Sequence, residues 1–224
     1  MDLLFTPAKL GTCELKNRIV RSATNGHLSD EKGQVTPLWA DTLIELAKNE
    51  VGLVITGHFC VDKMQRADAG QPVLDETTDE SLLRRACDGV HRYGGKLFFQ
   101  LSHSGIKGVE SVNGAPPKHP EDFTREELDR LVEQFAFAAK KCKESGADGV
   151  QVSGIDFNRR AGQKTPFYLD ALICESDFAA KLKSGAQDGS KCLACNGCYT
   201  IYRKRFVRCV QHQDEIEQFK TIPW

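Results

Sequence analysis

Four short apolar runs recur along the chain, from Asn17 to Ser22, Gly52 to Thr56, Lys96 to Leu101 and Gly149 to Val152, each of strand length. Between them the apolar positions change to helical spacing. The clearest segment sets Leu128, Leu131, Val132, Phe135, Ala139 and Cys142 on one face, and Thr124 followed by Glu127 predicts a capping box at its start. Weaker helices fit Pro37 to Lys48, with proline in the first turn, and Asp79 to Tyr93, ended by Gly94 and Gly95.

Strand, helix, strand, repeated, calls for parallel strands joined by crossover helices, and continuously apolar runs suit strands covered on both faces. The class is α/β. Pattern alone does not separate a doubly wound sheet from part of a β/α barrel, since both use the same right-handed crossover. Gly33, Gly70 and the stretch Lys107 to Pro120 mark long loops. After Val152 the rhythm stops; only a short helix from Asp177 to Leu182, closed by Ser184 and Gly185, is expected before a tail rich in cysteine. The chain therefore divides into a main domain, residues 1–185, and an appendage, residues 186–224.

Composition narrows the function classes. With 30 basic and 31 acidic residues, the net charge of -1 offers no general field for nucleic acid or an anionic membrane. No run of about 18 apolar residues occurs and the start has no signal-like pattern. A soluble cytoplasmic protein with a small-molecule partner is expected. Five of the nine cysteines, Cys13, Cys60, Cys87, Cys142 and Cys174, are scattered as buried small hydrophobes would be. The other four form C-x-x-C-x-x-C-x10-C at Cys192, Cys195, Cys198 and Cys209. Thiolates so spaced suit zinc or an iron–sulfur cluster, with reduced structural cysteines as the alternative.

Three motifs carry a resemblance. LFTPAKLGTCELKNRIVRSATN opens the chain, GLVITGHFCV follows, and GKLFFQLSHSG forms the third run. In this order and spacing they resemble the Old Yellow Enzyme family, whose FMN enzymes are closed eight-stranded barrels that take hydride from NAD(P)H and pass it to an activated alkene or related acceptor. The resemblance implies a TIM-barrel-type fold. It also implies flavin contacts from Ser22, Ala23, Thr24 and Asn25, from Gly57 and His58, and from Gln100, whose amide has both donor and acceptor for the pyrimidine side of the ring. Without it, the first segment reads as a strand leaving into a polar turn and His58 as a satisfied histidine.

The departures from the family pattern are equally specific. Where relatives carry a His pair, or His and Asn, after the fourth strand, with a nearby Tyr, this chain has Ser153, Gly154, Ile155 and Asp156. The Gly-rich phosphate turns and Arg of the seventh and eighth strands have no counterpart. The segment SGIDFNRRAGQKTPFYLDAL resembles a piece from around the sixth strand, joined to ICESDFAAKLKSG, which resembles the run after the eighth. These departures imply an incomplete barrel with an open edge, self-association as a homo-oligomer, and impaired FMN binding and ene-reductase activity. Tight FMN binding would instead mean that residues such as Arg159, Arg160 or Lys164 substitute for the lost phosphate charge. A catalytically silent fragment acting as an oligomeric or metal-binding module is the alternative, and no residue is assigned as catalytic.

Overall fold

The computed structural model describes residues 2–153, 176–188 and 191. A short antiparallel hairpin, β1 (Ala8–Leu10) with β2 (Cys13–Leu15), precedes the main sheet. Its two-residue turn places Gly11 at φ +58°, a conformation glycine adopts without strain. The periodic reading missed this hairpin because each strand is only three residues long.

Four parallel strands follow in sequence order: β3 (Val20–Arg21), β4 (Leu53–Cys60), β5 (Lys96–Ser102) and β6 (Gly149–Ser153). Between them run α1 (Pro37–Lys48), α2 (Glu80–Arg92), the single-turn α3 (Glu110–Asn113) and α4 (Arg125–Glu144), and α5 (Phe178–Ser184) comes last. Sequential order decides what periodicity left open. Right-handed crossovers that always step in the same direction keep their helices on one side of the sheet, the arrangement of a β/α barrel rather than a doubly wound sheet.

The helix ends follow the chemistry of their residues. Thr36 caps α1 ahead of Pro37, Asp79 accepts from the Ser81 N–H at the start of α2, and Thr124 and Glu127 exchange both capping bonds at α4. Such caps are each worth about 1 kcal/mol. At the end of α5, Gly185 takes φ +74°.

Two expectations need correction. The first strand is shorter than the apolar run from Asn17 to Ser22, because the Asn17 side chain turns back to bond the Ile19 N–H at 3.0 Å and the Glu50 carbonyl at 2.7 Å. The buried face of α4 also differs from the predicted stripe. Cys142 is buried beside Ala138 and Lys141, whereas Leu128 and Val132 are exposed by 44% and 68%. Leu131 and Phe135 of the same stripe pack on the core, and near the C-terminal end Lys141 bonds the Thr78 carbonyl at 3.2 Å and lies 3.4 Å from Glu80 Oε1.

One core joins sheet and helices. Val54, Phe59, Leu97, Phe99 and Leu101 meet Trp39, Leu43, Leu83, Val90 and Ala138, and Phe178, Ala179 and Leu182 of α5 complete it. Trp39, Phe59 and Phe99 form its aromatic centre, with ring centroids 5.4 to 6.1 Å apart. Truncating either phenylalanine removes about 3–5 kcal/mol. Cys60, Cys87 and Cys142 are buried and free, and burial pushes each thiol up to about 12. They behave as the small hydrophobes expected; Cys13 is half-buried and Cys174 lies outside the described residues.

Candidate functional site

Parallel strands bring all their C-terminal ends to one rim, which is where a β/α arrangement places its chemistry. Here the rim carries a row of polar side chains in register: His58 of β4 stands beside Gln100 of β5, and Gln100 beside Gln151 of β6. The strand alternation that buries Leu97, Phe99 and Leu101 against the helices leaves Phe98 and Gln100 half-buried on the other face. Gln100 Nε2 donates to Gln151 Oε1 at 2.8 Å. Its carbonyl oxygen and second amide hydrogen have no side-chain partner among the described residues.

A bulge sets up this row. Ile55 pairs with Phe98 but His58 pairs with Gln100, so β4 uses one residue more than β5 over that interval. Thr56 repairs the interrupted ladder. Its hydroxyl accepts from the Gln100 N–H at 3.1 Å and donates to the Gly57 carbonyl at 2.9 Å.

After β3 the chain from Ser22 to Ser29 lies against this bulge as a strap. A side chain at Gly57 would sit 2.6 Å from the Thr24 carbonyl and 2.9 Å from Asn25 Cα. The space left by that glycine is therefore filled by the strap itself, which fixes Thr24 and Asn25 next to β4. Arg21 reaches the Ser22 carbonyl at 2.9 Å and the Thr24 hydroxyl, orienting the turn. Asn25 donates to Asp68 Oδ2 at 2.8 Å, and His27 stands 2.9 Å from Asp68 Oδ1. Behind the strap is a cavity of about 60 Å³, bounded by Asn25, His27, Trp39, Leu43 and Pro72.

Behind the row lies a second polar layer. Gln71 and Ser102 are fully buried and both contact His58 Nδ1, at 2.8 Å and 3.0 Å. Burial holds the His58 imidazole below its usual range, against the pull of Asp68. For Asp68 itself burial works the other way, yet bonds from His27 and the Gly70 N–H keep its carboxyl below the ordinary value. The loop that carries Asp68 and Gln71 is anchored by Asn113, which exchanges two bonds with the Arg66 backbone at 3.0 and 2.9 Å.

Structure thus brings Thr24, Asn25, Gly57, His58 and Gln100 to one rim, with Ser22 and Ala23 at the head of the strap. Gln71, Ser102, Asp68 and Gln151 were not singled out from sequence. Gln151 lies within the fourth predicted run and Ser102 extends the third by one residue, so the strand-end rule pointed to them. Gln71 and Asp68 lie in an aperiodic loop whose only sequence signal was Gly70. His103 of the third motif accepts from the Gly105 N–H at 3.1 Å and rests against the Phe123 ring, shaping the turn after β5. Cys192, Cys195, Cys198, Cys209, Arg159, Arg160 and Lys164 lie outside the described residues. Among the described residues no cluster suits a metal and no helix is long and apolar enough to cross a membrane.

Comparison with known proteins agrees with this fold. Residues 3–156 match the family model of the NADH:flavin oxidoreductase / NADH oxidase family. The chain is 34% identical over 169 residues to a metal reductase of Desulforamulus reducens, covering 68% of this chain and 24% of that protein. It is 28% identical over 165 residues to an NADH oxidase of Thermoanaerobacter brockii, covering 67% and 25%. Among solved structures, an old yellow enzyme homologue from Zymomonas mobilis superposes with a TM-score of 0.59 at 22% identity, over 66% of this chain and 47% of the other. The chain spans about a quarter of the length of the first two relatives and under half of the third.

Proposed function

This chain belongs to the NADH:flavin oxidoreductase / NADH oxidase family, and from that membership we propose that it binds the ring of FMN at the strand-end rim as the flavin domain of an NAD(P)H-dependent ene-reductase-type oxidoreductase. The observation that supports this reading is Gln100. A flavin's pyrimidine edge alternates carbonyl oxygens with N–H, and Gln100 holds an unspent carbonyl oxygen and amide hydrogen at the half-buried rim. Ser22, Ala23, Thr24 and Asn25 would offer the strap's backbone, held rigid by Gly57, and His58 would offer a ring nitrogen. When bound, FMN supplies the hydride chemistry, accepting from the nicotinamide and delivering to an electron-poor acceptor. The protein's own part is to orient the ring, exclude water on the sheet side and fix hydrogen bonds around it.

Phosphate neutralisation is weak in the same reading. Among the described residues the guanidiniums near the rim turn inward, Arg21 to the strap and Arg66 to the Glu31 carbonyl at 3.1 Å. Each missing charge-assisted bond lowers affinity by roughly 1.5–3 kcal/mol, so FMN binding is expected to be far weaker than in a full-length relative. Titrating FMN while following flavin fluorescence tests this. Saturable quenching in the micromolar range or above agrees with the proposal; no binding at any concentration rejects it.

The remaining parts are proposed with it. Residues 1–185 form the flavin domain, supported by α5 closing the core just before Gly185, and residues 186–224 form an appendage. The spacing of Cys192, Cys195, Cys198 and Cys209 supports an iron–sulfur cluster or zinc there, which metal analysis and a visible spectrum distinguish. Val150 and Val152 on β6, exposed by 39% and 66%, support self-association as a homo-oligomer. Free, buried Cys60, Cys87 and Cys142 support a reducing, cytoplasmic location.

A further inference from the structure

The buried layer behind the rim dictates which nitrogen of His58 carries the proton. Gln71 Oε1 accepts from the Ala67 N–H at 2.6 Å, and this bond fixes the orientation of the amide. Nε2 of Gln71 consequently faces β4, 2.8 Å from His58 Nδ1, 3.2 Å from Ser102 Oγ and 3.3 Å from the His58 carbonyl. An amide NH2 has hydrogens to give and no lone pair to offer. A hydrogen on His58 Nδ1 would meet it head-on. Nδ1 must therefore hold its lone pair toward Gln71, and the imidazole's single hydrogen belongs on Nε2.

Ser102 does not change this outcome. Its hydroxyl, 3.0 Å from the same Nδ1, can donate there or to the Phe59 carbonyl at 3.3 Å, and in either case Nδ1 is not required to donate. The charged and titratable groups facing His58 are Asp68, which favours a second proton, and His27, which opposes it; burial is the largest influence and also opposes it. His58 Nε2 has no hydrogen-bond partner among the described residues.

We propose that Gln71 is a positioning residue that locks His58 as a neutral imidazole with its hydrogen on Nε2, and that this hydrogen is donated to an acceptor of the flavin ring. The first half stands on the geometry alone; the second rests on the flavin reading given above. A histidine free in water exchanges between tautomers and titrates near pH 6.5, about where a cell operates. Locked by Gln71, His58 presents one hydrogen of constant character and no formal charge. It can hold a ring acceptor equally well as the pH varies around neutrality. Because Gln71 reaches His58 from a loop outside the sheet, the lock also makes the site depend on the Arg66–Asn113 anchor.

The test uses the full chain labelled with ¹⁵N. Long-range proton–nitrogen spectra report directly which imidazole nitrogen is protonated, and His58→Gln identifies the His58 signals by their loss. Wild type is expected to show protonated Nε2 and bare Nδ1, persisting as the pH falls through the ordinary histidine value of about 6.5. Gln71→Glu keeps the acceptor for Ala67 but turns a carboxylate oxygen toward Nδ1. It should protonate Nδ1 and move the His58 titration above the ordinary value, while Ser102→Ala should leave the tautomer as in wild type. Wild-type protein with hydrogen on Nδ1 overturns the proposal even if Gln71→Glu fails to fold. So does a Gln71→Glu variant that folds and keeps the wild-type pattern. Adding FMN separates the two halves. Binding seen by fluorescence should shift the His58 Nε2–H resonance, and binding without that shift overturns the donation; absence of binding rejects the flavin reading while the tautomer result stands.

Discussion

Two histidines sit at opposite ends of the same strands and are held by opposite kinds of partner. At the N-terminal end, His91 Nε2 lies 2.6 Å from Asp148 Oδ2, and the same carboxylate takes the Leu97 N–H at 2.9 Å and Lys96 Nζ at 2.8 Å. At the C-terminal end, His58 faces a neutral amide and a hydroxyl. The first cluster gathers three donors on one negative charge and thereby stitches α2, β5 and the start of β6 together. The second holds its ring through neutral groups alone. A charged hub fastens; a neutral one sets a direction and keeps a hydrogen bond in hand, which is the division between stability and chemistry expected of the two ends of such a sheet.

The largest break in this comparison should come from Asp148→Asn. Although burial opposes it, bonding to Lys96, His91 and the Leu97 N–H holds the Asp148 carboxyl below its usual range. Removing the charge is expected to cost about 2 kcal/mol, after allowing for solvent screening at the half-exposed Lys96 and His91. Urea unfolding should show this as a lower midpoint, and FMN affinity should be unchanged. A weakened flavin site would mean the two ends are not independent.

The reverse experiment is Gln100→Ala. It should leave the urea midpoint near wild type, since Gln100 is half-buried and bonds only Gln151 through its side chain, yet weaken FMN binding by roughly three- to tenfold. Equal affinity in a fluorescence titration would remove Gln100 from the site.

Acid sharpens the contrast further. Lowered pKa values in the folded state mean that the unfolded chain binds more protons, so stability is fully present above the unfolded pKa and is lost as pH falls toward the folded one. For His58 that loss begins below about pH 6.5, and for Asp148 and Asp68 below about pH 3.9. Two acid steps are therefore expected in stability against pH. His103, also lowered by burial, contributes to the upper step, so His58→Gln should shrink that step and Asp148→Asn should shrink the lower. An upper step unchanged by His58→Gln would show that His58 does not contribute to it. The smallest effect concerns β6, the edge strand among the described residues: Val152→Lys should reduce the proposed self-association in sizing chromatography with little change in the urea midpoint.

How much of this was legible depended on the range of the interaction involved. The span of α1, the cap of α4 and the glycine end of α5 are decided within a few residues, and Pro37, Thr124 with Glu127, and Gly185 announce them. Parallel pairing of the four runs followed from their alternation with helices. The buried side of α4 was less legible, because Leu128 and Val132 have the right spacing but lie beyond what the sheet covers. At the site, motif residues Thr24, Gly57, His58 and Gln100 were visible through the resemblance. Gln71 was not. Its role depends on a loop folding back across 13 residues to the end of β4, and no periodicity encodes such a contact. The hairpin at Gly11 escaped for the opposite reason, being too short to show a period.

The bulge in β4 carries a final consequence, one of parity. Side chains on a strand alternate between faces, so a count that is odd or even decides whether a residue looks toward ligand or toward core. Were β4 to keep its length but pair regularly onward from Ile55, without the bulge, His58 would fall opposite Leu101 instead of Gln100 and drive an imidazole into the aromatic centre beside Phe59 and Phe99. The extra residue thus keeps Ile55 and His58 on the same face of the strand although three positions separate them. At this strand the irregularity is as much a part of the site as the side chains it carries.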